Sequence, residues 1–188
     1  MKTLFLILFL SINVLAQGQT PVHNFNLLNV VDGKGYSFES FPVKAWVVIF
    51  TSNTCPYDAY YLSRIRTLVQ DYAGKVQFIL INSCPGPEES AYKMKEIYGQ
   101  WNLPVPYLED KVQEAMNNFG AKKSPEVFLV SGAGNQYQVY YRGAIDDNAQ
   151  SETAVTENYL KAAIDNLLSG NKGESVSGRV VGCTIRKN

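Results

Sequence analysis

The sequence predicts an α/β fold, a central mixed sheet with helices on both faces. Three observations carry this reading. Strongly apolar runs at residues 45–50 (AWVVIF), 76–82 (VQFILIN) and 126–130 (EVFLV) read as strands covered on both sides. Segments with apolar residues at helical spacing lie between them, as in parallel strand–helix–strand units. The last two strand segments are joined by a tight turn, so that edge of the sheet is antiparallel.

The elements follow in order. Lys2, the apolar run at residues 4–10 and the small-residue pattern of Val14 and Ala16 read as a signal peptide over residues 1–16, cut near Gln17. The run is far shorter than the roughly 20 residues of a membrane span, so a periplasmic or secreted protein with no stable membrane insertion after cleavage is expected. Residues 17–170 form one domain. Residues 17–44 read as a short hairpin around Asp32-Gly33. After the strand at 45–50, Pro56 suits the first turn of a helix, on which Tyr61, Ile65, Leu68 and Tyr72 recur before Gly74 ends it. Residues 76–82 are the next strand, 88–101 a helix, 105–108 a short strand and 111–119 a short helix stopped by Gly120. Residues 126–130 and 136–142 are the last strands, with the turn at residues 132–135. A final helix spans 153–168, with Leu160, Ala163, Ile164, Leu167 and Leu168 on one stripe. Residues 171–188 are a polar tail, rich in glycine, serine and lysine, that carries Cys183 and should be mobile.

Lysine plus arginine balances aspartate plus glutamate at 17 each, so neither nucleic acid nor an anionic membrane is indicated as a partner. The single histidine, His23, gives no His/Cys cluster for zinc and no Ser/His/Asp set. No phosphate-cradling glycine loop appears. Asp146-Asp147-Asn148 lacks the spaced ligands of a calcium loop and reads as a turn. No cofactor or metal is expected.

The three cysteines cannot all pair within one chain. Cys55 stands between a buried strand and the helix that follows. Unpaired N–H groups and the helix dipole favour a thiolate there, and crevices form at the carboxyl ends of parallel strands. Read from its position alone, Cys55 is either a nucleophile or an inert, buried small hydrophobe. Asp58 lies one turn on. It is either a favourable first-turn acid or a charge that opposes the thiolate.

The stretch FTSNTCPYD resembles the active-site segment of the thioredoxin-like redoxins, the group with alkyl hydroperoxide reductase/thiol-specific antioxidant domains. Ser124-Pro125 before EVFLV resembles their cis-proline loop, and the helix and strand between Asn82 and Lys123 resemble the redoxin insertion. YYRGAIDDN and VGCTIRK are similar to a redoxin subgroup with a CPY monothiol site and a C-terminal GC[ST]I segment. The resemblance implies a thioredoxin-like fold, a cis bond at Ser124-Pro125, and a substrate surface formed by Pro56, Tyr57, Ser124, Pro125 and Arg142. Read without it, Arg142 is a strand-end arginine that would pair with Asp146 or Asp147.

The chain departs from the redoxin pattern at two places. Asp58 replaces the second cysteine of CxxC, so no disulfide can form within the motif. Val48 and Ser52 stand where a peroxiredoxin carries proline and threonine, which weakens peroxide chemistry. A resolving thiol must come from Cys84, at the end of the neighbouring strand, or from Cys183. A mobile tail can approach and withdraw, which favours Cys183 and would leave Cys84 as a thiol. The expected function is an exported thiol-dependent oxidoreductase with Cys55 as nucleophile, acting on a protein or small-molecule thiol or disulfide with an external thiol reductant. The alternatives are a non-enzymatic binding module and a thiol peroxidase acting through a Cys55 sulfenic acid.

Overall fold

The computed structural model describes residues 20–171 and 177–188. The expected signal peptide lies outside the described residues. The chain runs β1 (Thr20–Val22), β2 (Leu27–Asn29), β3 (Gly35–Tyr36), β4 (Ala45–Phe50), α1 (Pro56–Asp71), β5 (Gln77–Asn82), α2 (Ala91–Trp101) and β6 (Tyr107–Glu109). It continues through α3 (Glu114–Phe119), β7 (Lys123–Ser124), β8 (Glu126–Ala133), β9 (Gln136–Gly143), α4 (Tyr159–Leu168) and β10 (Cys183–Thr184). Eight strands form one mixed sheet in the order β1-β9-β8-β4-β5-β6-β2-β3, and β7 and β10 pair separately.

The core follows from side-chain alternation along the central strands. In β4, Val47 and Ile49 face one side while Trp46, Val48 and Phe50 face the other. Phe78 and Leu80 against Ile79 and Ile81 in β5, and Val127 and Leu129 against Phe128 and Val130 in β8, repeat the pattern. Helices α1, α2 and α4 cover the first face, and α3 with Phe38 covers the second. Both faces are dry, which is why these runs carry no polar alternation. Strands β5 and β6 run parallel to β4, and β8 runs antiparallel to it. The carboxyl end of β4 therefore opens beside the start of β8, and that juncture positions the site.

Several expectations shift. Strand β1 pairs outside β9, so β9 is not the sheet edge. Helix α2 begins at Ala91 rather than residue 88, because Pro87–Glu89 is a 3-10 turn entered from Gly86 at φ 121°. Helix α4 begins at Tyr159 rather than residue 153, since Glu152–Ala154 is another isolated 3-10 turn. Pro104 and Pro106, which lack N–H donors, hold the short strand back to Tyr107–Glu109. The tail was expected to be mobile, yet residues 177–188 lie against the domain: β10 pairs with β7 and Ile185 is buried. Its apolar Ile185 and its backbone donors find partners that a count of glycine, serine and lysine cannot show.

Candidate active site

Cys55 is the N-cap residue of α1, and Pro56 follows at the first helical position, where its missing N–H costs nothing. Its side chain is buried. A disulfide joins Cys55 to Cys183, with Cα atoms 5.9 Å apart. The Ser124-Pro125 peptide bond is cis. The Ser124 carbonyl oxygen lies 3.2 Å from Cys55 Sγ, so the reduced thiol would have an acceptor waiting there. Pro56, next to Cys55, and Tyr60 are exposed, and the half-buried Tyr57 meets the Tyr60 ring edge-on at 6.2 Å. Pro125 itself is buried.

Asp58 is not the solvated first-turn acid that its position allows. It is buried beneath the thiol turn, where its Oδ1 accepts from Thr51 Oγ1 at 2.7 Å. Its Oδ2 accepts from the Ser52 N–H at 3.3 Å and from Ser124 Oγ. Burial raises its pKa to about 7; hydrogen bonds from Ser124, Thr51 and Ser52 oppose the rise. Asp58 thus links the loop before Cys55 to the cis-proline loop that faces it. Near neutral pH it exchanges a proton.

The loop between β4 and α1 is held by a residue that sequence reading missed, Glu89. Its Oε1 accepts from Ser52 Oγ at 2.7 Å, Thr54 N at 3.2 Å and Thr54 Oγ1 at 2.7 Å. Its Oε2 accepts from Asn53 N at 2.8 Å and Asn82 Nδ2 at 2.7 Å. Burial disfavours the charge, but the bonds from Asn82, Ser52, Thr54 and Asn53 outweigh it and hold the carboxyl below its usual range. In sequence Glu89 falls in the first turn of the helix expected over residues 88–101, where an acid is unremarkable. The available signal was Asn82 and Ser83, polar groups at the end of a buried strand, where a crevice forms.

Cys84 is a half-buried free thiol near Glu89, Ser52 and Asp58. Burial, then the Glu89 charge, pushes it up to about 11, so it stays protonated at neutral pH. A cavity of about 300 Å³ beside it is lined by Glu89, Glu109, Lys111 and Asn188 among others. Arg142 does not pair with Asp146 or Asp147. Its Nε donates to Glu126 Oε1 at 2.8 Å and its Nη2 to the Gly120 carbonyl at 2.7 Å. Glu126 Oε2 in turn accepts from the N–H groups of Lys122 and Lys123 at 2.7 and 3.0 Å, so Arg142 braces the strand that carries Ser124. Asp146 pairs instead with Arg64 at 2.7 Å, both buried, and ties α1 to the loop after β9. The structure thus gathers Cys55, Cys183, Ser124 and Pro125 at one point, puts Pro56 and Tyr57 on the rim, and sets Arg142 behind β7.

Among the described residues, no group of three or more His, Cys, Asp or Glu side chains could hold a metal ion. No helix among them is long and apolar enough to cross a membrane.

Neither a scan against models of protein families nor a search of curated proteins gives a match. Solved structures do match. A conserved protein of Geobacillus kaustophilus, described as uncharacterized, superposes with TM-score 0.81 at 29% identity, over 90% of this chain and 92% of that one. A protein of Sinorhizobium meliloti, described as hypothetical, gives TM-score 0.80 at 27% identity over 90% and 94%. The C-terminal domain of a candidate thiol-disulfide oxidoreductase from Bacteroides thetaiotaomicron gives 0.60 at 14% identity over 81% and 96%. The fold is thioredoxin-like. On that fold, this chain carries one cysteine at the helix N-terminus, bonded to a second in its tail.

Proposed function

We propose that this protein is an exported thiol-disulfide oxidoreductase of the redoxin type, with Cys55 as nucleophile and Cys183 as resolving thiol. The observation that carries the reading is the Cys55–Cys183 disulfide at the N-terminus of α1, opposite the cis Ser124-Pro125 bond. In the reduced protein the Cys55 thiolate attacks a substrate disulfide. One substrate sulfur bonds to Cys55, and the other leaves as thiolate with the electron pair of the broken bond. Cys183 then attacks Cys55 Sγ, releases the substrate as a thiol and restores the internal disulfide. An external thiol reduces that bond for the next turn. Asp58, through its bonds to Thr51, Ser52 and Ser124, holds the two loops that flank the sulfur in place during this exchange. The redoxin domain spans residues 17–170, the resolving tail is residues 171–188, and export rests on the signal-like residues 1–16.

Thiol peroxidase chemistry is less favoured. The Ser52 hydroxyl, at the position of the peroxiredoxin threonine, already donates to Glu89 inside the protein. Cys84 is disfavoured as the resolving group because its thiolate is scarce.

The test is reaction of the reduced protein with a model protein disulfide, with and without Cys183→Ser. The variant should accumulate a mixed disulfide on Cys55 that peptide mapping identifies. A Cys55–Cys183 bond that millimolar dithiothreitol leaves intact in the folded protein would instead mark a structural crosslink, and the non-enzymatic reading would stand.

A further inference from the structure

The tail lies in the groove along β7 and α3 in a way that reads sequence at two positions and backbone at the others. Cys183 stands opposite Ser124 and Thr184 opposite Lys123 in an antiparallel pair. Ile185 N–H donates to the Lys122 carbonyl at 3.0 Å, which continues the pairing. Beyond it, Gln113 makes a fork. Its Nε2 donates to the Arg186 carbonyl at 2.7 Å and its Oε1 accepts from the Asn188 N–H at 2.9 Å. Gln113 is held at φ 58° and also donates to the Ser83 carbonyl at 2.9 Å, so a bond outside the tail helps to orient the fork.

Side chains matter in two places. A Cβ on Gly182 would strike the Ser124 carbonyl oxygen and meet Pro125 N at 3.1 Å. Those are backbone atoms and cannot swing aside, so the residue before the cysteine must be glycine. Ile185 is 6% exposed and joins the apolar cluster on the α3 face. The side chains of Thr184 and Arg186 are exposed, and Lys123 Nζ reaches Thr184 Oγ1 at 3.0 Å.

We infer that this groove is a polypeptide-binding site for extended Gly-Cys-x-Ile segments, or segments with another aliphatic residue in the last place, and that the tail is its tethered occupant. This rests on the thiol-exchange reading above and names its substrate class: proteins whose disulfide cysteine lies in such a segment. A substrate segment replaces the tail strand for strand, places its sulfur on Cys55, and is displaced when the tail returns with Cys183.

The test uses the full chain, reduced, carrying Cys84→Ser and Cys183→Ser, so that Cys55 is its one thiol. Synthetic Val-Gly-Cys-Thr-Ile-Arg-Lys is supplied as its mixed disulfide with 5-thio-2-nitrobenzoate. Cys55 attacks the peptide sulfur, the aromatic thiolate leaves with the bonding electrons, and its absorbance reports the rate. The parent peptide should react at least tenfold faster than peptides with leucine for the glycine or aspartate for the isoleucine. Adding Ile185→Asp to the protein, which loosens its own tail, should speed the parent peptide severalfold. Equal rates for the three peptides, all above a Cys55→Ser control, would overturn the groove and leave thiol exchange standing. Rates no higher than that control would overturn both. No gain from Ile185→Asp would show that the tail does not occupy the groove in solution, and would overturn the proposal.

Discussion

Asp58→Asn should make the oxidised protein more stable in alkali relative to the parent, by an amount that the site geometry bounds. The unfolded chain ionises Asp58 near 3.8, and burial in the fold raises that to about 7. Each unit is about 1.4 kcal/mol, so burying the carboxylate costs on the order of 4 kcal/mol once both states are ionised. The contribution of protonated Asp58 is whole below pH 4. It is lost as pH rises through the window from 4 to 7, where the unfolded state releases its proton first. Asparagine keeps an acceptor oxygen for Thr51 and carries no charge, so it escapes this loss. Urea unfolding at pH 4, 6 and 8 with the disulfide intact isolates the effect. Cys55 cannot titrate there, Cys84 stays protonated, and Glu89 is common to both proteins. The stability difference should move by a few kcal/mol toward the variant between pH 4 and 8. A difference that stays flat with pH would refute the assignment of Asp58 as a buried, proton-exchanging group.

Three further outcomes are expected. Cys183→Ser removes a crosslink between positions 128 residues apart; the chain-entropy relation gives a loss of about 3–5 kcal/mol, readable as a lower urea midpoint, and an unchanged midpoint would mean the bond constrains nothing. Glu89→Ala strands donors on Ser52, Asn53, Thr54 and Asn82 and should cost about 3 kcal/mol while slowing Cys55 alkylation in the reduced protein; a purely structural residue would lower stability and leave that rate alone. Arg64→Met leaves Asp146 charged and buried, at about 3–5 kcal/mol by thermal unfolding, and adding Asp146→Leu should restore much of it; no restoration would mean the two do not act as a pair.

How much was legible in the sequence depended on whether the signal was local. β4 was read to the residue because AWVVIF is apolar without a break and Pro56 soon follows it. Cys55 stood out because a strand end and a helix start meet there. The cis Ser124-Pro125 bond was expected only through the resemblance of its flanking residues. What stayed hidden is what the tertiary fold assembles. Glu89 meets Ser52 across 37 positions, and Asp58 meets Ser124 across 66. The Arg142 partner is Glu126, its neighbour across β8 and β9, and not the acids nearest in sequence. The tail looked mobile because its composition is that of a linker. Gly182 is there to pass a carbonyl, which composition cannot tell from flexibility.

The spacing of the disulfide also sets an order of events while the chain is made. Cys55 and Cys84 emerge from the ribosome well before Cys183, which follows Cys55 by 128 residues. At about 5–20 residues per second of synthesis that interval is roughly 6–26 s. During it the only companion thiol in the chain is Cys84. The burial that raises Cys84 and keeps it protonated belongs to the finished domain. The choice of sulfur is therefore secured on folding, when Cys183 is in place and Cys84 is half-buried.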